Sequence, residues 1–248
     1  EFALVGYNAN GALDTGFGNS GKVTTAIGTS NDEAYSVIQQ ADGKLVAAGS
    51  GYIRSGSGYE YQNFVLVRYN ANGTLDTGFG TGGKVITAVG SRNQQAYSLI
   101  QQADGKLVAA GYVDASPWRD FALVRYNADG SLDTSFGTDG KVTTAIGTIN
   151  DEAYSVIQQA DGKLVAAGTV GNNFALVRYN TDGSLDTSFG TGGKVTTNFT
   201  GSSDDEAFSV IQQADGKLVA AGNSDSGNDN FALVRYNSNG SMDTTFSG

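Results

Sequence analysis

Short apolar runs alternate along the chain with clusters of Gly, Asn, Asp and Ser, and the alternation recurs. Residues 35–40 and 44–49 are two such runs, parted only by Ala41, Asp42 and Gly43. Asp-Gly between runs of β-formers is a hairpin signal, because Gly accepts the positive φ that a tight turn needs. A third run, 64–69, is followed by the turn cluster 70–73 and then by a shorter, more polar run at 84–88. No window carries a helical period. The pattern predicts an antiparallel meander of four strands, A to D in chain order.

The faces of these strands narrow the architecture. Alternation puts Phe64 and Leu66 on one side of strand C, and Val65, Val67 and Tyr69 on the other. Leu45 and Ala47 oppose Val46 and Ala48 in the same way. A sheet that is apolar on both faces must be covered on both, whereas a lone antiparallel sheet keeps one polar face. Blades stacked around an axis meet that demand.

The meander is repeated. Phe-Ala/Val-Leu-Val-x-Tyr-Asn begins at Phe2, Phe64, Phe121, Phe174 and Phe231. The A–B phrase begins at Ser36, Ser98, Ser155 and Ser209, and Gly-Lys-Val begins at Gly21, Gly83, Gly140 and Gly193. The spacing, about 53 to 62 residues, is close to the blade periods of known propellers. The expected fold is therefore all-β, a β-propeller with four-stranded antiparallel blades, four in number. The predicted single repeat domain, 1–248, opens with strands C and D in 1–29. Complete blades follow at 30–91, 92–148 and 149–200. A final A-B-C blade at 201–248 is expected to be completed by the N-terminal strand, closing the ring. A β-solenoid fits less well, since its strands would not need Asp-Gly hairpins.

Composition removes several classes of function. Fifteen Lys and Arg against 25 Asp and Glu give a formal charge of −10, which argues against a nucleic-acid partner. With no Cys and no His, disulfides and thiolate or imidazole metal sites are excluded. No apolar run reaches the roughly 20 residues of a membrane-spanning helix, and no signal peptide is evident.

The string at 182–197, Asp-Gly-Ser-Leu-Asp-Thr-Ser-Phe-Gly-Thr-Gly-Gly-Lys-Val-Thr-Thr, together with Ala-Asp-Gly-Lys-Leu-Val-Ala-Ala-Gly and Phe-Ala-Leu-Val-Arg-Tyr-Asn, closely resembles the delta-60 repeat. That bacterial repeat belongs to a β-propeller domain family of unknown function. The resemblance covers essentially the whole chain. It implies a propeller in an extracellular or cell-surface setting, and it implies no activity.

Several motifs carry possible chemistry. Asn127–Asp133 partly resembles a calcium loop, but the EF-hand pattern would place Arg125 and Phe136 where acids belong; an Asx-type turn is the expectation. The acids Asp32-Glu33, Asp151-Glu152 and Asp204-Asp205-Glu206 precede strand A, with Gln94-Gln95 in their place once. They read as solvated loop charges. Arg68, Arg125, Arg178 and Arg235 recur on strand C and are expected to pair with repeated acids such as Asp76 and Asp133. Gly80-Thr81-Gly82-Gly83-Lys84 lacks the spacing and helix of a phosphate loop.

The nonrepeated B–C loops are the distinctive feature. One carries Tyr52, Arg54, Tyr59 and Tyr61, the other Tyr112, Trp118 and Arg119. Aromatics beside Arg suit stacking on a sugar or anchoring a protein, and in a propeller these loops share one face. The expected function is a non-catalytic binding or scaffold module with a glycan or protein ligand, no cofactor and no metal. The alternative is an assembly unit, a homo-oligomer formed by exchange of the duplicated end strands at Phe2 and Phe231. An enzyme is not expected, because with no His and no Cys acid–base work would rest on these acids, which recur around the ring and form no asymmetric constellation.

Overall fold

The computed structural model describes residues 1–54, 56, 58–199, 204–225 and 229–246. Every element within them is a β-strand. The chain divides into two compact units, Glu1–Ala109 with Tyr126–Leu132, and Ala110–Arg125 with Asp133–Gly248.

The predicted meanders are present. β1 (Phe2–Val5) and β2 (Lys22–Thr25) form a two-stranded sheet. Three four-stranded sheets follow in simple up-and-down order. The first contains β3 (Asp32–Gln39), β4 (Leu45–Arg54), β5 (Glu60–Tyr69) and β6 (Lys84–Thr87). The second contains β7 (Gln94–Gln101), β8 (Leu107–Asp114), β9 (Arg119–Tyr126) and β10 (Lys141–Thr144), and the third β11 (Asp151–Gln158), β12 (Leu164–Val170), β13 (Asn173–Tyr179) and β14 (Lys194–Thr197). The last sheet has β15 (Glu206–Gln212), β16 (Leu218–Asp225) and β17 (Asp229–Tyr236).

Turn chemistry explains the pairing. Gly43 adopts φ 83°, which the Asp-Gly sequence supplies without a Cβ clash. Its N–H donates to Gln40 O at 2.9 Å, and Gln40 N–H to Lys44 O at 2.8 Å, locking β3 against β4. Three of the A strands, β3, β11 and β15, then make an irregularity of one residue, at Tyr35, Tyr154 and Phe208. These bulges push an aromatic out of the ladder. Tyr35 meets Tyr97 edge-on at 5.2 Å in the first unit, and Tyr154 meets Phe208 at 5.5 Å in the second.

Both faces of the inner strands are buried, as the two-sided apolar pattern requires. Phe64, Val65, Leu66, Val67 and Tyr69 are all fully covered, and Phe174 to Val177 likewise. In the first unit Phe2 and Leu4 pack on Val65, Val67 and Tyr69. In the second, Phe174 and Leu176 pack with Ala232, Val234 and Tyr236. The Phe/Leu face of one repeat therefore lies on the Val/Tyr face of the next. A buried hydroxyl pair closes each junction: Tyr69 Oη donates to Thr25 Oγ1 at 2.9 Å, Tyr126 to Thr87 at 3.0 Å and Tyr179 to Thr144 at 2.9 Å.

One expectation fails here. Residues 22–25 do not complete the last sheet, which stays three-stranded. Lys22–Thr25 pairs instead with Phe2–Val5, from Phe2↔Thr25 to Val5↔Lys22. The reason is local: β1 and β2 are consecutive in the chain, and consecutive strands usually lie side by side.

Candidate functional site on the β8–β9 hairpin

The repeated residues form the frame. Arg125 Nε donates to Asp133 Oδ2 at 2.7 Å, as Arg178 does to Asp186 and Arg235 to Asp243, and Arg68 does to Asp76 at 2.8 Å. Each guanidinium also lies over a phenyl ring, at 4.5 Å for Arg125 on Phe136 and Arg178 on Phe189. A terminal nitrogen then donates to the turn of the following repeat: Arg68 to Ala128 O at 2.6 Å, Arg125 to Thr181 O at 2.6 Å and Arg178 to Ser238 O at 2.5 Å. The expected Arg–Asp pairing is present, and it is one part of a three-way clamp. Asn127–Asp133 is an Asx-type turn, with Asp129 Oδ1 accepting from Ser131 N–H at 2.9 Å.

One aspartate ahead of each of these strands is not a solvated charge, whereas Glu33 and Asp204 are exposed as expected. Asp32 is 5% exposed, and Asp151 and Asp205 are fully buried. Asp32 accepts from Ile27 and Gly28 N–H at 2.8 and 3.1 Å, and Asp151 from Ile146 and Gly147 at 2.6 and 3.2 Å. Gln94 Oε1 accepts from Val89 and Gly90 in the same manner. These side chains staple a loop whose backbone N–H groups would otherwise be buried unmet. A carbonyl oxygen serves as well as a carboxylate, which explains the Gln. Burial pushes the Asp151 carboxyl up despite these donors, and the nearby Asp120 charge raises it further. Burial also raises Asp120, while Lys194 pulls it down.

The nonrepeated residues lie one group in each unit. In the first unit, on the β4–β5 hairpin, Tyr59 is 68% exposed and its ring lies 6.3 Å from Tyr61. Arg54 is exposed and pairs in register with Glu60. Tyr52 is half-buried and serves structure, its carbonyl accepting from Thr29 N–H at 3.0 Å.

In the second unit, on the β8–β9 hairpin, Tyr112 is buried and Trp118 is 45% exposed. The Trp118 carbonyl accepts from Ala115 N–H at 2.9 Å, which fixes the hairpin tip. Arg119 is held from several sides. Its guanidinium stacks over Tyr112 at 4.2 Å, donates to Glu152 Oε1 at 2.5 Å and lies 3.3 Å from Asp114 Oδ1. Burial lowers the guanidinium's affinity for its proton, but Glu152 more than restores it, so the group stays charged. Tyr154 Oη bridges Glu152 and Glu206, at 3.3 and 3.2 Å. Trp118 thus directly precedes, in the chain, an arginine held in an ordered set of donors and acceptors and stacked on the Tyr112 ring. The sequence offers Glu152 and Glu206 only as loop charges and does not single out Tyr154, because all three sit at repeated positions; the nonrepeated Arg119 joins Glu152, and Tyr154 links Glu152 to Glu206.

A family model described as a domain of unknown function (DUF5122) β-propeller matches residues 40–79, 102–136, 159–189 and 213–246, more than half of the chain. This supports a β-propeller repeat family of unknown function; the delta-60 designation rests on the sequence resemblance alone. No curated protein matches the chain. Among solved structures, an α-L-arabinofuranosidase from Clostridium thermocellum is similar at 10% identity and TM-score 0.40, covering 84% of this chain and 69% of that one. A xylan β-1,4-xylosidase from Bacillus halodurans is similar at 13% identity and TM-score 0.43, covering 85% of this chain and 42% of that one. Both neighbours are enzymes, so the expectation that the chain is not an enzyme is withdrawn; at these identities and TM-scores the likeness assigns no activity to this chain.

Proposed function

The chain belongs to the DUF5122 β-propeller domain family of unknown function, and from that premise we propose that it binds carbohydrate at the β8–β9 hairpin, in an extracellular or cell-surface bacterial setting. One observation carries the reading: Trp118, 45% exposed, stands beside an Arg119 that is locked between Tyr112 and Glu152. An indole face stacks on the apolar face of a pyranose ring, and fixed charged groups alongside it accept and donate to ring hydroxyls. Holding those groups before the ligand arrives lowers the ordering cost of binding. A protein ligand would need a larger apolar centre than one indole offers.

A glycan array probed with the intact chain and with Trp118→Ala tests this. The intact chain is expected to retain a set of glycans, and Trp118→Ala to lose them by roughly 10- to 100-fold in affinity, the worth of one stacked aromatic. Both proteins should unfold at the same temperature, because the side chain is half exposed. Equal retention by the two proteins would contradict the site.

A further inference from the structure

The second unit contains a buried carboxylate oxygen that no donor meets. Asp151 is fully buried, and its Oδ2 accepts from Ile146 and Gly147 N–H at 2.6 and 3.2 Å. Its Oδ1 has no hydrogen-bond partner among the described residues. A buried acceptor left unmet costs free energy, so such an atom calls for a donor.

Asp120 is the group placed to supply one. The β9–β10 ladder runs out at Phe121↔Thr144, which sets Asp120 opposite Ala145, beside the Ile146 that Asp151 holds. In the first unit, Asn63 and Gln94 occupy the places of Asp120 and Asp151. There Gln94 Oε1 accepts from Val89 and Gly90 N–H, and Gln94 Nε2 donates to Asn63 Oδ1 at 3.1 Å. An amide hydrogen joins the two side chains in that repeat. Two carboxylates in the same places have no hydrogen between them, and like charges so close resist ionising together. One proton on Asp120 restores the bond and meets Asp151 Oδ1.

The surrounding charges agree with one proton rather than a cation. No group of three or more His, Cys, Asp or Glu side chains is gathered to hold a metal ion among the described residues. Lys194 on β14 donates from Nζ to Ala145 O at 2.6 Å. Burial pushes the Asp120 and Asp151 carboxyls up, and the Lys194 charge draws both down without cancelling that rise. Its ammonium balances one carboxylate, and the other takes the proton. Arg119 and Glu152, next along β9 and β11, are bound to each other, and Asp114 of β8 lies 3.3 Å from Arg119. The pair also sits at a joint. Arg119 N–H donates to Asn150 Oδ1 at 3.1 Å, and Asn150 belongs to the loop that Asp151 staples.

We propose that Asp120 and Asp151 share one proton in mild acid, and that its loss at higher pH loosens the seat of the β8–β9 hairpin and weakens its hold on carbohydrate. With the proton in place, the Asp120 carboxyl donates to Asp151 Oδ1, and β9 is tied to the segment 145–151 at two successive residues, Arg119 and Asp120. When the proton leaves to water, two carboxylates face each other across that joint, and the bond from Arg119 to Asn150 weakens. The effect on binding rests on the carbohydrate reading of the hairpin; the shared proton does not.

Carboxyl-carbon NMR of the aspartate-labelled chain, titrated from pH 8 to pH 3, reads the proton without any ligand. One aspartate carboxyl is expected to titrate above the usual carboxylate range, and that titration to vanish in Asp120→Asn and in Asp151→Asn. Either amide supplies the hydrogen permanently, as Gln94 does for Asn63, and melting verifies that each variant folds. Trp118 emission then gives the affinity for the glycan best retained on the array at pH 4 and at pH 8. The intact chain is expected to bind roughly five- to tenfold more weakly at pH 8 than at pH 4, and both variants to bind equally at the two. Aspartates that all titrate in the usual range overturn the proposal, as does an affinity ratio that the variants leave unchanged. The expected titration in a chain that binds no glycan at either pH upholds the shared proton and overturns the carbohydrate reading.

Discussion

At the scale of single residues, the repeat is held by a clamp whose parts are each ordinary. Arg178 is 7% and Asp186 6% exposed, and their 2.7 Å contact is shared with Lys163 at 3.1 Å. Burial pushes the Asp186 carboxyl up, but hydrogen bonds from Ser188 and Lys163 and the charge of Arg178 hold it well below the usual carboxylate range. A depressed folded value contributes stability above the ordinary carboxyl value of about 3.9, lost as pH falls through the lower folded value. Asp186→Asn is therefore expected to cost roughly 1–3 kcal/mol at pH 7, through an arginine left buried and half-partnered. In urea unfolding at pH 7 and at pH 2.5, the gap between the two proteins should shrink in part at the lower pH, which lies between the unfolded and the folded value of the carboxyl. A gap independent of pH would mean that the charge plays no part. The pair was legible in the sequence, because Arg and Asp recur together in every complete repeat. The staple made by Asp32 and Asp151 was not legible: a loop acid looks solvated until the loop's backbone is known to fold back over it.

At the scale of elements, strand boundaries followed from turn chemistry. The Asp-Gly hairpins fixed β3–β4 and their copies, and alternation assigned each face of strand C. What alternation could not show is the pairing of nonrepeated side chains between strands. Asp120 at the start of β9 illustrates this. Asn63, Asn173 and Asn230 hold the same place in other repeats, and in the second unit the Asp120 charge raises the Asp151 carboxyl on β11. A raised folded value removes stability as pH rises through it, so this pairing costs stability at neutral pH and not in acid. Asp120→Asn is expected to raise Tm by roughly 1–3 °C at pH 7, in keeping with a partly screened charge pair. The gain should vanish at pH 3. A drop in Tm at pH 7 would instead assign Asp120 a stabilising contact or a role at a site.

At the scale of the whole molecule, self-similarity carried the reading. Two-sided apolar strands at a repeating period gave β-propeller sheets, and the family match agrees. Closure of the last sheet by residues 22–25 did not follow, because periodicity counts strands without ranking competitors for a seat. Phe2 and Phe231 carry equal claims in sequence, and neighbouring chain decides in favour of Phe2. The same limit applies to the candidate site. Nonrepeated aromatics pointed to the β4–β5 and β8–β9 hairpins alike, while the carboxylates that order the second are repeat residues and look structural. An outlier such as Arg119 gives common residues around it a new partner, as it does Glu152.

Trp118 is the chain's single tryptophan, so its fluorescence reports on the proposed site without any label. Titrating the intact chain with the glycan best retained on the array is the measurement that meets the central claim most directly. The account predicts a saturable change in intensity with a shift of emission to shorter wavelength, as a sugar ring displaces water from the exposed indole face. Binding that calorimetry detects while the emission stays unchanged would place the ligand elsewhere and contradict the account.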